Sequence, residues 1–89
     1  MADEEYSKLQ IALVRRPDWG SVIPGSGGIR KLRWRSSGRG KRGGLRLIYY
    51  WQTADDQIWM LLAYRKSEKD DLSRDEMKKL KRLVEEFEA

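Results

Sequence analysis

The sequence contains no cysteine. A disulfide framework, a thiolate nucleophile and a cysteine-ligated metal are therefore excluded. It contains no histidine either, which removes the commonest general base and the commonest metal ligand. Any acid–base chemistry must come from Lys, Arg, Tyr or a carboxylate. No apolar run reaches the length of a membrane-crossing helix, and the N-terminus lacks the apolar stretch of a signal peptide. The expected location is the cytoplasm, with no membrane partner. One absence is local: between Trp19 and Ala54 there is no Asp or Glu. The same stretch carries Arg30, Lys31, Arg33, Arg35, Arg39, Lys41, Arg42 and Arg46. The formal net charge of +5 is therefore a patch set in mid-chain rather than a diffuse excess. A patch of this kind is the electrostatic footprint of a polyanion. The paired carboxylates that a metal-dependent nuclease requires are missing from it, so no metal and no other cofactor is expected.

What is present fits one domain over residues 1–89, with a single modest core. Charged residues make up 37% of the chain, so the surface must be densely charged, and four Trp and four Tyr offset this by the area each ring buries. Asp3 to Arg16 has helical spacing, with Tyr6, Leu9, Ala12 and Leu13 on one stripe and Pro17 as the stop. Asp18 to Gly28 is rich in Gly, Ser and Pro and reads as a loop. Ile29 to Arg35 alternates as a strand, with Leu32 and Trp34 on one face and Lys31, Arg33 and Arg35 on the other. Ser36 to Gly44 (SSGRGKRGG) has no apolar residue and reads as a flexible basic hairpin loop. Leu45 to Gln52 is the next strand, with Arg46, Ile48 and Tyr50 sharing a face. Residues 54–57 form a turn. Ile58 to Arg65 is a third strand, apolar on both faces and so expected in a central or well-covered place. The last element is a helix announced by a capping box, Ser73 with Glu76, and a hydrophobic staple, Leu72 with Met77. Met77, Leu80, Leu83, Val84 and Phe87 line one of its faces.

The candidate chemistry lies in the cations. Lys31, Arg33 and Arg35 stand in a row along one side of the sheet, and Arg46 can join them across the hairpin. Like charges side by side repel, and no acid intervenes to neutralise them, whereas a phosphate backbone would. A solvated strand face is the plainer alternative. Arg39, Lys41 and Arg42 lie among glycines that let backbone N–H groups approach an anion, although the ending of a Walker A loop is absent. Among the aromatics, Tyr50 is the candidate base platform, the other rings being needed for the core. Arg65, at the end of the third strand, completes the set expected to hold a nucleic acid: Arg35, Arg39, Lys41, Arg42, Tyr50 and Arg65.

In order, IPGSGGIRKLRW, GRGKRGGLRLIYYW and LLAYRKSEKDDL before a capped helix resemble the RelE/HigB-like toxins of bacterial toxin–antitoxin systems, from about Asp18 onward. The resemblance implies an α+β fold: an antiparallel meander with the N- and C-terminal helices packed on one face. The strand that usually precedes the first helix does not stand out in this sequence. It also implies metal-independent cleavage of mRNA on the ribosome, in which the 2′-OH attacks the adjacent phosphate and basic side chains replace histidines. Lys31 and Arg33 match the family's catalytic or phosphate-contacting lysines, Arg46 its arginine on the next strand, and Lys66 its cationic position after the last strand. Proton transfer would then fall to Lys31 and Lys66, and stabilisation of the phosphorane to Arg33 and Arg46. The implied partners are the ribosome, mRNA and a cognate antitoxin of helix-turn-helix type. Two alternatives remain open at this point: a related ParE-like toxin that poisons gyrase, and a basic nucleic-acid-binding module with no catalysis.

Overall fold

The computed structural model describes residues 3–34, 45–65 and 71–88. Helix α1 spans Asp3–Arg15, and its Leu9 and Leu13 are fully buried, as the helical spacing requires. The chain then leaves through Pro17, and Trp19 N–H donates to Arg16 O at 3.0 Å. Within the segment expected to be loop lies a short strand, β1 (Ser21–Val22). Strands β2 (Ile29–Trp34), β3 (Leu45–Gln52) and β4 (Gln57–Arg65) follow, then helix α2 (Arg74–Glu88). The sheet therefore has four strands rather than three, antiparallel in the order β1-β2-β3-β4.

The Gly/Ser segment between β1 and β2 is a built turn. Ser26 is buried; its hydroxyl donates to Ile23 O at 2.6 Å and accepts from Ile29 N–H at 3.0 Å. Ile23 N–H also donates to Ile29 O at 2.8 Å. Gly25 and Gly27 take φ of 73° and 82°, a region that L side chains avoid. Arg35 and the Ser36–Gly44 loop lie outside the described residues.

The two helices cover opposite faces of the sheet, which corrects the expectation that both pack on one. Leu9 and Leu13 of α1 join Leu32, Leu47 and Tyr49, with Trp34, Leu45, Trp51, Ile58 and Met60 around them. Val84 of α2 joins Ile29, Ile48 and Tyr64, with Leu62, Leu72, Met77 and Leu80 around them. The reason is the period of two: β3 carries an apolar set on each face, and each set requires its own cover.

This also explains β4, which is an edge strand and not a central one. It is apolar on both sides because it contributes to both cores, Ile58 and Met60 to one, Leu61, Leu62 and Tyr64 to the other. Adjacent leucines reach the same core because the register slips between Ile48 and Tyr49, which pair with Leu62 and Met60 and leave Leu61 as the extra residue of a β-bulge.

Helix α2 starts as its sequence indicates. Glu76 N–H donates to Ser73 Oγ at 3.1 Å, and Ser73 N–H donates to Glu76 Oε1 at 2.9 Å. Phe87 stacks on Trp59 with ring centres 4.1 Å apart. Leu83, expected on the apolar stripe, is instead exposed.

One buried group fastens the exit of α1 to the sheet. The hydroxyl of fully buried Tyr49 donates to Pro17 O at 2.7 Å and accepts from Gly20 N–H at 2.8 Å. A Cβ at residue 20 would meet that ring and hydroxyl at 2.9 Å and Lys31 O at 3.0 Å, so only glycine fits.

Candidate nucleic-acid interface

Three of the cations picked out by alternation come together. The register places Lys31 opposite Ile48 and Arg33 opposite Arg46, all on the face that α2 covers only in part. Directly opposed side chains have Cβ atoms about 5 Å apart. Arg33 and Arg46 are thus adjacent like charges, and among the described residues no carboxylate pairs with either. With Lys31 they line a cleft of about 380 Å³ that also includes Trp19, Ser21 and Leu32. Arg46 Nε is buried, and among the described residues it has no hydrogen-bond partner. A buried donor without a partner is costly unless something arrives to accept from it.

Lys31 does have a counter-ion. Its Nζ lies 3.5 Å from Asp71 Oδ1, just ahead of α2. Asp71 is held by accepting from Leu72 N–H at 2.8 Å. That hydrogen bond is the main influence holding its carboxyl below the usual range; partial desolvation opposes it, and the charges of Lys31 and Arg46 assist it. The ion pair is exposed, so its own contribution to stability is small. Its significance is positional: an acid from a distant segment sits against a cation that the local sequence leaves unneutralised.

The remaining candidates are placed as follows. Arg35, Arg39, Lys41, Arg42 and Lys66 lie outside the described residues. Arg65 pairs with Leu45, on the α1 face of the sheet, away from Arg46. The bulge at Leu61 causes this, because strict alternation from Trp59 would have put residue 65 on the cationic face. Tyr50 shares that face, but beyond Ile48 and against α2, where its hydroxyl donates to Glu88 Oε1 at 2.8 Å. That bond, with some burial, raises the Tyr50 pKa. Arg30, counted in the sequence patch, has a structural role: its guanidinium donates to Gly20 O at 2.6 Å and lies over the Trp51 ring at 5.8 Å.

Trp19, Ser21 and Asp71 were not anticipated. Trp19 and Ser21 come from the segment expected to be loop, and no spacing rule relates them to Lys31. Asp71 precedes a recognisable helix start, but only the packing of α2 brings it to the cleft.

An open antiparallel sheet between two helices, with a histidine-free cationic cleft along it, defines a small α+β protein with a concentrated positive site. The profile that matches this sequence, over residues 22–89, is that of the RelE toxin of the RelE/RelB toxin–antitoxin system. The matched span takes in β2, β3, β4 and α2, and the chain belongs to this family. It is the toxin of a toxin–antitoxin system, with an antitoxin as its partner. Among the described residues no helix is long and apolar enough to cross a membrane.

Proposed function

We propose that the chain is a ribosome-dependent mRNA endonuclease that works without a metal. The observation that carries this reading is the convergence of Lys31, Arg33 and Arg46 on one cleft, with Arg46 Nε buried and unsatisfied among the described residues. In the proposed reaction the RNA 2′-oxygen attacks the adjacent phosphorus and the bond to the 5′-oxygen breaks. The products are a 2′,3′-cyclic phosphate and a 5′-hydroxyl. A base takes the proton from the 2′-OH and an acid returns one to the leaving oxygen, roles given to Lys31 and Lys66. Arg33 and Arg46 stabilise the charge that builds on the phosphorane oxygens. Arg35, Arg39, Lys41 and Arg42 hold the strand through its phosphates.

A site without histidine depends on its substrate being presented in the right geometry, and the ribosome supplies that order. The test is induction in cells followed by mapping of mRNA 5′ ends, with translation running or blocked. New 5′-hydroxyl ends within translated messages, lost when translation stops, are expected. Efficient cutting of naked mRNA at the same sites would remove the ribosome from the proposal. Intact RNA together with inhibited gyrase would point instead to a ParE-like toxin.

A further inference from the structure

We propose that Trp19 is the platform on which a base of the bound RNA stacks, an inference that rests on the RNA reading above. Among the described side chains Trp19 is the exposed aromatic, at 39%, while the other described rings are buried or half-buried. It forms one wall of the cleft that holds Lys31, Arg33 and Arg46. The cleft lies where the pairing of β1 with β2 ends, at Ser21–Lys31, so the ring stands beside the edge of β2 rather than under another strand. It is also held in place. Its backbone N–H is bonded to Arg16 O, the next residue is pinned by Tyr49, and its ring meets Trp34 edge-on at 5.8 Å and 81°. A fixed, exposed ring beside phosphate-binding cations is what base stacking requires.

The same ring also borders a groove on α1 lined by Lys8, Ile11, Ala12, Arg15 and Arg16. Cations thus flank Trp19 on both sides, which suits a phosphate backbone that continues past the stacked base. A protein segment with apolar and acidic side chains is the competing occupant of that groove, and the experiment separates the two.

The probe is a short, labelled single-stranded RNA, methylated at every 2′-oxygen so that it cannot be cut, and the same strand with abasic residues. The abasic strand keeps the phosphates and removes the stacking faces. Binding is measured by anisotropy at several salt concentrations. The wild-type protein should prefer the base-bearing strand by about tenfold. Trp19→Leu should abolish the preference and Trp19→Phe should retain it, with thermal melting showing that both variants are folded. The salt slope should be the same in all three proteins, because no charge changes. If the wild-type protein binds neither strand, the platform is overturned, while the RNA reading itself stands or falls by the mapping of mRNA 5′ ends described above. If it binds both equally, or if Trp19→Leu keeps the preference, only the platform is overturned. Loss of antitoxin binding by Trp19→Leu with an unchanged base preference would assign the ring to the protein partner and also overturn the proposal.

Discussion

Arg46 differs from the other cleft cations because its Nε is shielded from water and, among the described residues, accepted by nothing. Such a group stabilises a transition state most where solvent cannot compete. Arg46→Ala should therefore slow single-turnover cleavage by about 3 kcal/mol of barrier while leaving sedimentation with ribosomes nearly intact. Loss of binding without a separate effect on cleavage would make Arg46 a docking residue. Tyr49 calls for a stability experiment. Burial raises its pKa despite the N–H of Gly20 and the charge of Arg30, which lower it. The neutral phenol is thus favoured in the folded state. Its contribution is complete below a pH of about 10 and is lost as pH rises through the higher folded value. Tyr49→Phe should cost about 1–3 kcal/mol in urea unfolding at neutral pH, by stranding Gly20 N–H and Pro17 O. It should also make the alkaline loss of stability shallower. At this scale the sequence displayed Lys31, Arg33 and Arg46, because alternation with a period of two is local. It could not display Asp71 or Trp19, whose places depend on how separate segments pack.

Helix and strand boundaries were largely legible, since α1, β2, β3 and α2 each carry an alternation, a helical period or a cap, and β4 is a bounded apolar run. Two features of the elements were not. One is β1, whose two residues are too few to show a period. The other is the bulge at Leu61, since a run of apolar residues looks the same with or without one extra member. The bulge decides which face Arg65 takes, so one extra residue separates it from Arg46 across the sheet. The cap of α2 bears on the site as well, because Asp71 precedes it and reaches Lys31. Ser73→Ala should cost about 1 kcal/mol in chemical denaturation. It should also loosen the Asp71–Lys31 pair, seen as a smaller shift of the Asp71 carboxyl in an NMR pH titration. An unchanged titration would show that the pair does not depend on the cap.

For the whole molecule, a division of labour between the cations of β2 and β3 and those of the glycine-rich stretch predicts two kinds of failure. Arg39, Lys41 and Arg42 lie in a stretch with no apolar side chain to anchor it. Replacing all three with Ala should weaken ribosome association and reduce its dependence on log salt by roughly one unit for each phosphate no longer neutralised. Cleavage by the complex that still forms should continue. A triple variant that binds normally but cannot cut would reverse the two assignments. The placement of the helices on opposite faces was legible only in part. The sequence showed apolar residues on both sides of its last strand, but that pattern could be satisfied by a central strand as well as by two separate covers.

Because α1 and the cationic cleft are mostly on opposite sides of the sheet, the molecule has a side that can carry a reporter. Val14 on α1 is 71% exposed and belongs to neither core. The chain has no thiol of its own, so Val14→Cys would give a single attachment point for a dye or spin label. A label there has the thickness of the sheet between it and Arg33 and Arg46, and it could follow arrival at the ribosome without entering the site.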